Sequence, residues 1–195
     1  MSQYPKEVEL KDKEKVTLRL LRQNDLEKLV EFFQALPLKD RMFLRTDVLQ
    51  RENIYRRYGN LNYQNMYPVI AVKNEEIVAI GTLFRPEFGW MRNLGEIRCV
   101  VAEKYQRKGL CTILVRELFL RAVSMDLYKL QAELIEDQKS AIAAFQRMGF
   151  RPEAVLKKHV TDIQGRRQNL VIMSLDIQDM WNVMEDFISG KSYVV

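Results

Sequence analysis

Alternation of apolar and polar side chains marks the first regular element. In Lys15–Leu21, Val16, Leu18 and Leu20 point one way and Thr17, Arg19 and Leu21 the other, the period of a strand with one wetter face. The period then lengthens to that of a helix. Leu26, Leu29, Val30 and Phe33 fall on one face, Asn24 or Asp25 is placed to cap it, and Pro37 ends it. Two further helical stretches follow, one from about Lys39 and one over Asp47–Tyr58. Asn60–Tyr67 reads as a polar, aromatic loop closed by Pro68. Val69–Val72 and Ile77–Phe84 flank Asn74-Glu75-Glu76, which predicts a hairpin. After the loop Pro86–Asn93, Gly95–Val101 forms another strand. Leu110, Ile113, Leu114, Leu118, Ala122 and Met125 recur at helical spacing, with Arg116, Glu117 and Arg121 opposite. Lys129–Ile135 alternates again and is expected parallel to Gly95–Val101, because a helix separates the two. A helix beyond Asp137 ends at Gly149, with Phe150 folding back on Phe145. Ala154–Val160 and Asn169–Leu175 make a second hairpin across Asp162-Ile163-Gln164-Gly165.

Three segments result. Residues 1–14 are polar and expected to be a loose arm; 15–176 form one domain; 177–195 carry Ile177, Met180, Trp181, Met184 and Phe187 on a short amphipathic helix. That stripe either packs on the domain or makes a homodimer contact. The order of elements predicts an α/β (α+β) domain with a mixed sheet and a single right-handed crossover between Gly95 and Ile135. A ligand is then expected where the strands of that crossover end.

Composition narrows the chemistry. The chain has 195 residues, enough for one domain with a substantial core. No apolar run approaches the ~20 residues of a membrane span, and the first residues are too charged for a secretory signal. Cys99 and Cys111 lack a zinc-type cluster around them, so a reduced, cytoplasmic setting is expected. The net charge of +5 favours an anionic cofactor or acidic partner and is weak support for nucleic acid. With His159 as the only histidine, a multi-histidine metal site and a serine–histidine triad are both disfavoured.

The crossover carries the candidate chemistry. Cys99-Val100-Val101 runs into Ala102-Glu103-Lys104-Tyr105 and then into Gln106-Arg107-Lys108-Gly109-Leu110-Cys111-Thr112. A strand entering a basic, glycine-containing turn that starts a helix suits an anion, because the first helical N–H groups lack partners and the dipole is positive there. Gly109 lets the backbone approach a phosphate; Arg107 and Lys108 supply charge. The spacing excludes a Walker loop, since Lys108 precedes the glycine, and a dinucleotide fingerprint, which needs three glycines. An ordinary strand-to-helix turn on a basic surface would share these features.

The pattern Gln-x-x-Gly-x-small at 106–111 resembles the pyrophosphate loop of the GNAT N-acetyltransferase superfamily. Ala141–Phe150 resembles that family's second cofactor motif, Ala-x-x-x-Tyr/Phe-x-x-x-Gly-Phe; Asp162–Leu175 resembles its closing hairpin, and Val16–Asp25 its opening strand and helix. The resemblance covers about residues 15–176. It implies the GNAT fold, a mostly antiparallel mixed sheet whose central parallel strand pair splays around acetyl-CoA, with helices on both faces. It implies further that backbone at Cys99, Val100 and Val101 pairs with the pantetheine arm. Gln106 opens a loop in which N–H groups of Arg107, Lys108, Gly109, Leu110, Cys111 and Thr112 hold the pyrophosphate, and Gln138 and Phe145 complete the second motif. No metal is implied. There are departures. Cys111 stands where glycine or alanine is usual, as a fitted small residue or a thiol nucleophile. Phe145 stands where many relatives have a tyrosine that protonates the departing thiolate, and Gln138 where asparagine is frequent.

Acetyl transfer to an amine requires a free lone pair, and a carboxylate can take the proton that an amine carries near pH 7. Glu96, on the strand feeding the turn, is the candidate base; the alternative is that it only pairs with Arg98 or with another strand. A half-buried carboxylate among apolar neighbours would suit that work. Gly95-Glu96-Ile97 through Gln106, and Val16–Phe33, resemble the catalytic domain of Pat-type bacterial protein lysine acetyltransferases. A protein lysine, a small amine such as a polyamine, amino acid or antibiotic-like compound, and a non-catalytic CoA-binding module remain as readings. Arg45, Arg56 and Arg57 would meet an acidic acceptor or form a solvated face.

Overall fold

The computed structural model describes residues 4–178. Its elements are β1 Lys6–Glu9, β2 Lys15–Leu20, α1 Leu26–Gln34, α2 Leu38–Arg41, α3 Arg51–Tyr58, β3 Met66–Lys73, β4 Glu76–Phe84, β5 Leu94–Val101, α4 Leu110–Ser124, β6 Lys129–Ile135, α5 Lys139–Arg147, β7 Arg151–Thr161 and β8 Arg167–Asp176. The strands form one sheet in the order β1-β2-β3-β4-β5-β6-β8-β7. Every neighbouring pair is antiparallel except β5–β6, which α4 connects. Among the described residues no helix is long and apolar enough to cross a membrane.

β4 lies mid-sheet and is buried along nearly its whole length. Ala79, Gly81 and Leu83 face α4, while Ile80 and Phe84 pack with α1 and α3. A Cβ on Gly81 would stand 3.1 Å from Leu114 Cβ, so the missing side chain lets α4 settle on the sheet. Leu114, Leu118 and Phe119 are fully buried there, each stabilising the fold by about 1.5–3 kcal/mol. The β3–β4 connection is a two-residue turn with Asn74 and Glu75 both at positive φ (48° and 66°), the twist that suits a tight hairpin. After α5, Gly149 takes φ 89°, Phe150 N–H donates to Phe145 O at 3.0 Å, and the two rings meet edge-on at 5.0 Å.

Several expectations need correction. Residues 1–14 include an edge strand: β1 pairs with β2 from Lys6↔Leu18 to Glu9↔Lys15, burying Val8 and Leu10. An edge strand buries one row of side chains, so Lys and Glu dominate its composition and mask it. Glu117 is buried, because β1 covers that face of α4: its carboxylate accepts Lys6 Nζ at 2.7 Å and Tyr4 O–H at 3.1 Å. Asp25 occupies the cap position of α1 without capping it. Its carboxylate turns back to the Arg22 N–H (2.8 Å) and to both terminal nitrogens of Arg19 (2.6 and 2.7 Å), closing a short 3₁₀ turn over Gln23–Asp25. β3 begins at Met66, earlier than the expected Val69, and β7 begins at Arg151, earlier than Ala154. The amphipathic helix expected beyond Ile177, and the dimer contact weighed for it, fall largely on residues outside the described range.

Asp162 pins the β7–β8 turn. It is buried and accepts N–H groups from Gln164 and Arg166, Arg166 Nε at 2.9 Å and Gln168 Nε2 at 3.0 Å. Burial pushes its carboxyl upward, but the Gln168 and Arg166 bonds outweigh that and hold it at about 2, below the ordinary 3.8. The folded value being the lower one, this carboxylate stabilises the fold above about pH 3.8, and its contribution fades as pH falls toward 2. Urea midpoints should therefore separate wild type from Asp162→Asn at pH 6, and the gap should narrow below about pH 3.8 and close as pH approaches 2; a gap independent of pH would contradict this assignment.

Candidate active site

The parallel ladder between β5 and β6 is short. Leu94 pairs with Lys129, Gly95 with Leu130 and Glu96 with Gln131, and pairing stops there, although β5 runs to Val101 and β6 to Ile135. Each strand stays paired on its other side, β5 with β4 through Val101 and β6 with β8 through Ile135. The two strands therefore diverge, and the backbone groups along their facing edges need other partners. Two side chains serve the far ends: Gln138 Oε1 accepts the Ile135 N–H at 2.9 Å, and Gln106 Nε2 donates to Val101 O at 3.1 Å. Gln106 Nε2 also donates to Asp40 at 2.9 Å, joining the turn to α2. An extended chain carrying amides fits between such edges as an added strand would.

Beyond β5 the chain makes a 3₁₀ turn over Glu103–Tyr105 and enters α4 through two left-handed residues, Arg107 (φ 60°) and Gly109 (φ 87°). Gly109 is the N-cap and makes no side-chain cap, so the first N–H groups of α4 stay open to a ligand. Leu110 anchors this first turn in the core. Lys108 differs from expectation. Its ammonium is held by Asp12 at 2.6 Å and Glu14 at 3.2 Å, on the β1–β2 turn, and its carbonyl accepts the Lys11 N–H at 3.0 Å. The Asp12 and Glu14 bonds push the Lys108 pKa up, so it stays charged but engaged. Arg107, which is exposed, is the uncommitted cation of the turn among the described residues.

A cavity of about 240 Å³ opens along the divergence. Of the residues expected to hold a cofactor, Cys99, Val100, Val101, Gln106, Cys111, Gln138 and Phe145 line it; Arg107, Lys108, Gly109, Leu110 and Thr112 sit at the helix start outside that lining. Cys99 and Cys111 adjoin one another in this lining, and each thiol acts on the other, raising the Cys99 pKa and lowering that of Cys111. Phe145 is buried against Phe150 and offers no proton.

Glu96 is not surrounded by apolar groups. Arg98 Nε donates to its Oε1 at 2.8 Å and Arg98 Nη2 to its Oε2 at 3.3 Å, and Arg45 Nη1 lies 3.1 Å from Oε1. Arg45, on the segment between α2 and α3, also binds Glu133 of β6, bridging the two strands at the end of their shared ladder. Glu133, with Gln131 Nε2 on its other oxygen at 2.9 Å, lines the cavity; Glu96 does not. Glu133 was open to the same reasoning, since it lies opposite the apolar Leu130, Ala132 and Leu134 row. What hid its relevance was the long-range pairing through Arg45.

Residues 27–150 match the model of the acetyltransferase (GNAT) family, which is more than half of the chain. The chain belongs to the GNAT family. Solved structures share its fold. The GNAT domain of S. lividans PAT superposes with a TM-score of 0.74 at 17% identity, covering 89% of this chain and 99% of that one. Ribosomal-protein-alanine N-acetyltransferase from Brucella melitensis gives 0.71 at 21%, covering 82% and 98%. Spermidine N-acetyltransferase from Vibrio cholerae, solved with CoA and spermine, gives 0.70 at 16%, covering 84% and 96%. No curated protein matches the sequence. At these identities the structural neighbours establish the fold, and within it this GNAT chain has an arginine-bridged pair of carboxylates at the strand divergence.

Gly109 gives a test of the turn. A Cβ there would meet nothing closer than Lys11 Cγ at 3.5 Å, so the cost of Gly109→Ala lies in the left-handed backbone alone, about 1 kcal/mol. Urea unfolding should show that loss; an unchanged midpoint would mean that α4 starts in another conformation.

Proposed function

We propose that the protein is an acetyl-CoA-dependent N-acetyltransferase that transfers acetyl to a primary amine by direct attack. The observation that carries this is the divergence of β5 and β6 beside a helix N-terminus opened by a left-handed glycine. In this reading the facing edges at Cys99–Val101 receive the amides of the pantetheine arm. The open N–H groups of Arg107–Thr112 receive the pyrophosphate, helped by the macrodipole and Arg107. Gln106 and Gln138 keep the ends of the two strands apart, and Cys111 fits the loop as a small residue. Bound acetyl-CoA supplies the activated thioester.

The residues then have to deprotonate the amine and protonate a thiolate. Glu96 is the proposed general base, acting directly or through one water. Arg98 and Arg45 both hold its Oε1, and Oε2 accepts only Arg98 Nη2, which leaves a lone pair there directed by the arginines. A second reading is favoured by one observation: Glu133 lines the cavity and shares Arg45, which puts a second carboxylate at the same point. Phe145 has no proton to give. Tyr58 lines the cavity with an O–H that burial keeps protonated, and solvent is the other donor.

Paired variants separate these roles. Glu96→Gln should lower kcat by about 10²–10⁴-fold while acetyl-CoA affinity, measured by calorimetry, stays within about twofold. Glu133→Gln should lower kcat by less than tenfold. A larger loss in Glu133→Gln would move the base role to Glu133, and a loss below tenfold in both would remove the carboxylate base from the scheme.

A further inference from the structure

The wall of the cavity away from the cofactor turn is made by α3 and the segment before it, and its charges are unbalanced. Arg45, Arg57 and Arg98 line this end, and a second cavity of about 420 Å³ adjoins it, lined by Arg56, Arg57, Arg98, Thr46, Asn53 and Phe84. Arg45 and Arg98 are engaged by Glu96 and Glu133. Arg57 forms no ion pair among the described residues, although the charge of Glu96, itself held by Arg98 and Arg45, reaches it. Its Nη2 donates to Thr46 Oγ1 at 3.1 Å, and its guanidinium lies over the Phe84 ring at 5.7 Å, with Arg98 over the same ring at 4.8 Å. Burial and the neighbouring Arg98 push the Arg57 pKa down. A half-buried guanidinium beside a second cation is stabilised by an anion, and its planar donors match a carboxylate in a bidentate pair.

We infer that the acceptor is a primary amine that also carries a carboxylate, and that Arg57, with Arg56 beside it, binds that carboxylate. This rests on the N-acetyltransferase reading above. The two ends of the site have opposite charge preference. Glu96 and Glu133 offer carboxylates to the ammonium at the strand divergence, and the α3 end offers guanidinium to an anion. A polyamine, whose ammonium groups repeat along the chain, would bring a second cation against Arg56 and Arg57 and is selected against by like-charge repulsion. The partition agrees with the geometry of the arginines: Arg45 and Arg98 are used to hold the carboxylates, leaving Arg57 for the ligand.

The experiment measures binding and turnover separately. A panel of primary amines is prepared in matched carboxylate and carboxamide forms, half of it free amino acids and half short lysine peptides with Asp or Asn beside the lysine. Each member is titrated calorimetrically into the protein saturated with CoA, and CoA release from acetyl-CoA is followed for the same members. The carboxylate forms in one half of the panel should bind at least about tenfold tighter than their amides, and the half that does so identifies a free amino acid or an acidic peptide as the source. Arg57→Gln should bring that ratio near one, and Arg57→Lys should keep part of it. Equal affinity of the two forms throughout, tighter binding of spermidine than of every carboxylate member, or a ratio retained in Arg57→Gln would each overturn the inference. Turnover without discrimination refutes the carboxylate site alone; discrimination without CoA release refutes the transferase reading alone.

Discussion

The structure depends on the point where β5 and β6 stop pairing. Beyond the divergence each strand is held on its outer edge by an antiparallel neighbour, and α4 packs against the sheet beneath β4 and β5, which keeps the two from swinging together. The backbone groups exposed by divergence carry a desolvation cost unless something pairs with them. Gln106 and Gln138 satisfy one group at the end of each strand, and Arg45 spans the two strands where the ladder ends. Strands already held apart in this way need little ordering to receive an extended chain, which would lower the cost of binding one.

Charge in the site is arranged by what each cation is already doing. Lys108 looks from its position in the turn like the natural phosphate ligand, but Asp12 and Glu14 hold it, so it braces the turn. Attraction for an anion at this end then comes from the open N–H groups of α4 and from Arg107. At the opposite end Arg45 and Arg98 are committed to carboxylates and Arg57 is not. The formal charge of +5 spread along the chain says little about either end; the difference is made by a few pairings.

Local periodicity made most of the fold legible. The alternation in β2 and β6, the helical stripe of α4, the Asn-Glu turn of the first hairpin and the Gly149 cap each depend on residues close in sequence, and each stands in the structure where the pattern places it. The turn at Gly109 was legible for the same reason. Other features depended on residues far apart. Strand β1 lacks a convincing pattern by itself because its second partner is α4, more than a hundred residues away, through Lys6 and Tyr4 on Glu117. The surroundings of Glu96 were misread as apolar because the residues that decide them, Arg45 and Glu133, come from a loop and from the next strand. Sequence neighbours do not reveal the charge that reaches this strand from a loop and from the next strand.

The brace formed by the β1–β2 turn bears on where this domain begins. The family match starts at residue 27, yet Lys11, Asp12 and Glu14 all hold the turn that opens α4, and Lys6 closes over a buried carboxylate of the same helix. The shared family core and the cooperative unit of this protein therefore have different edges. A fragment trimmed to the matched limits would keep the residues of the wedge and lose both β8, which holds the outer edge of β6, and the contacts that brace the anion-facing corner.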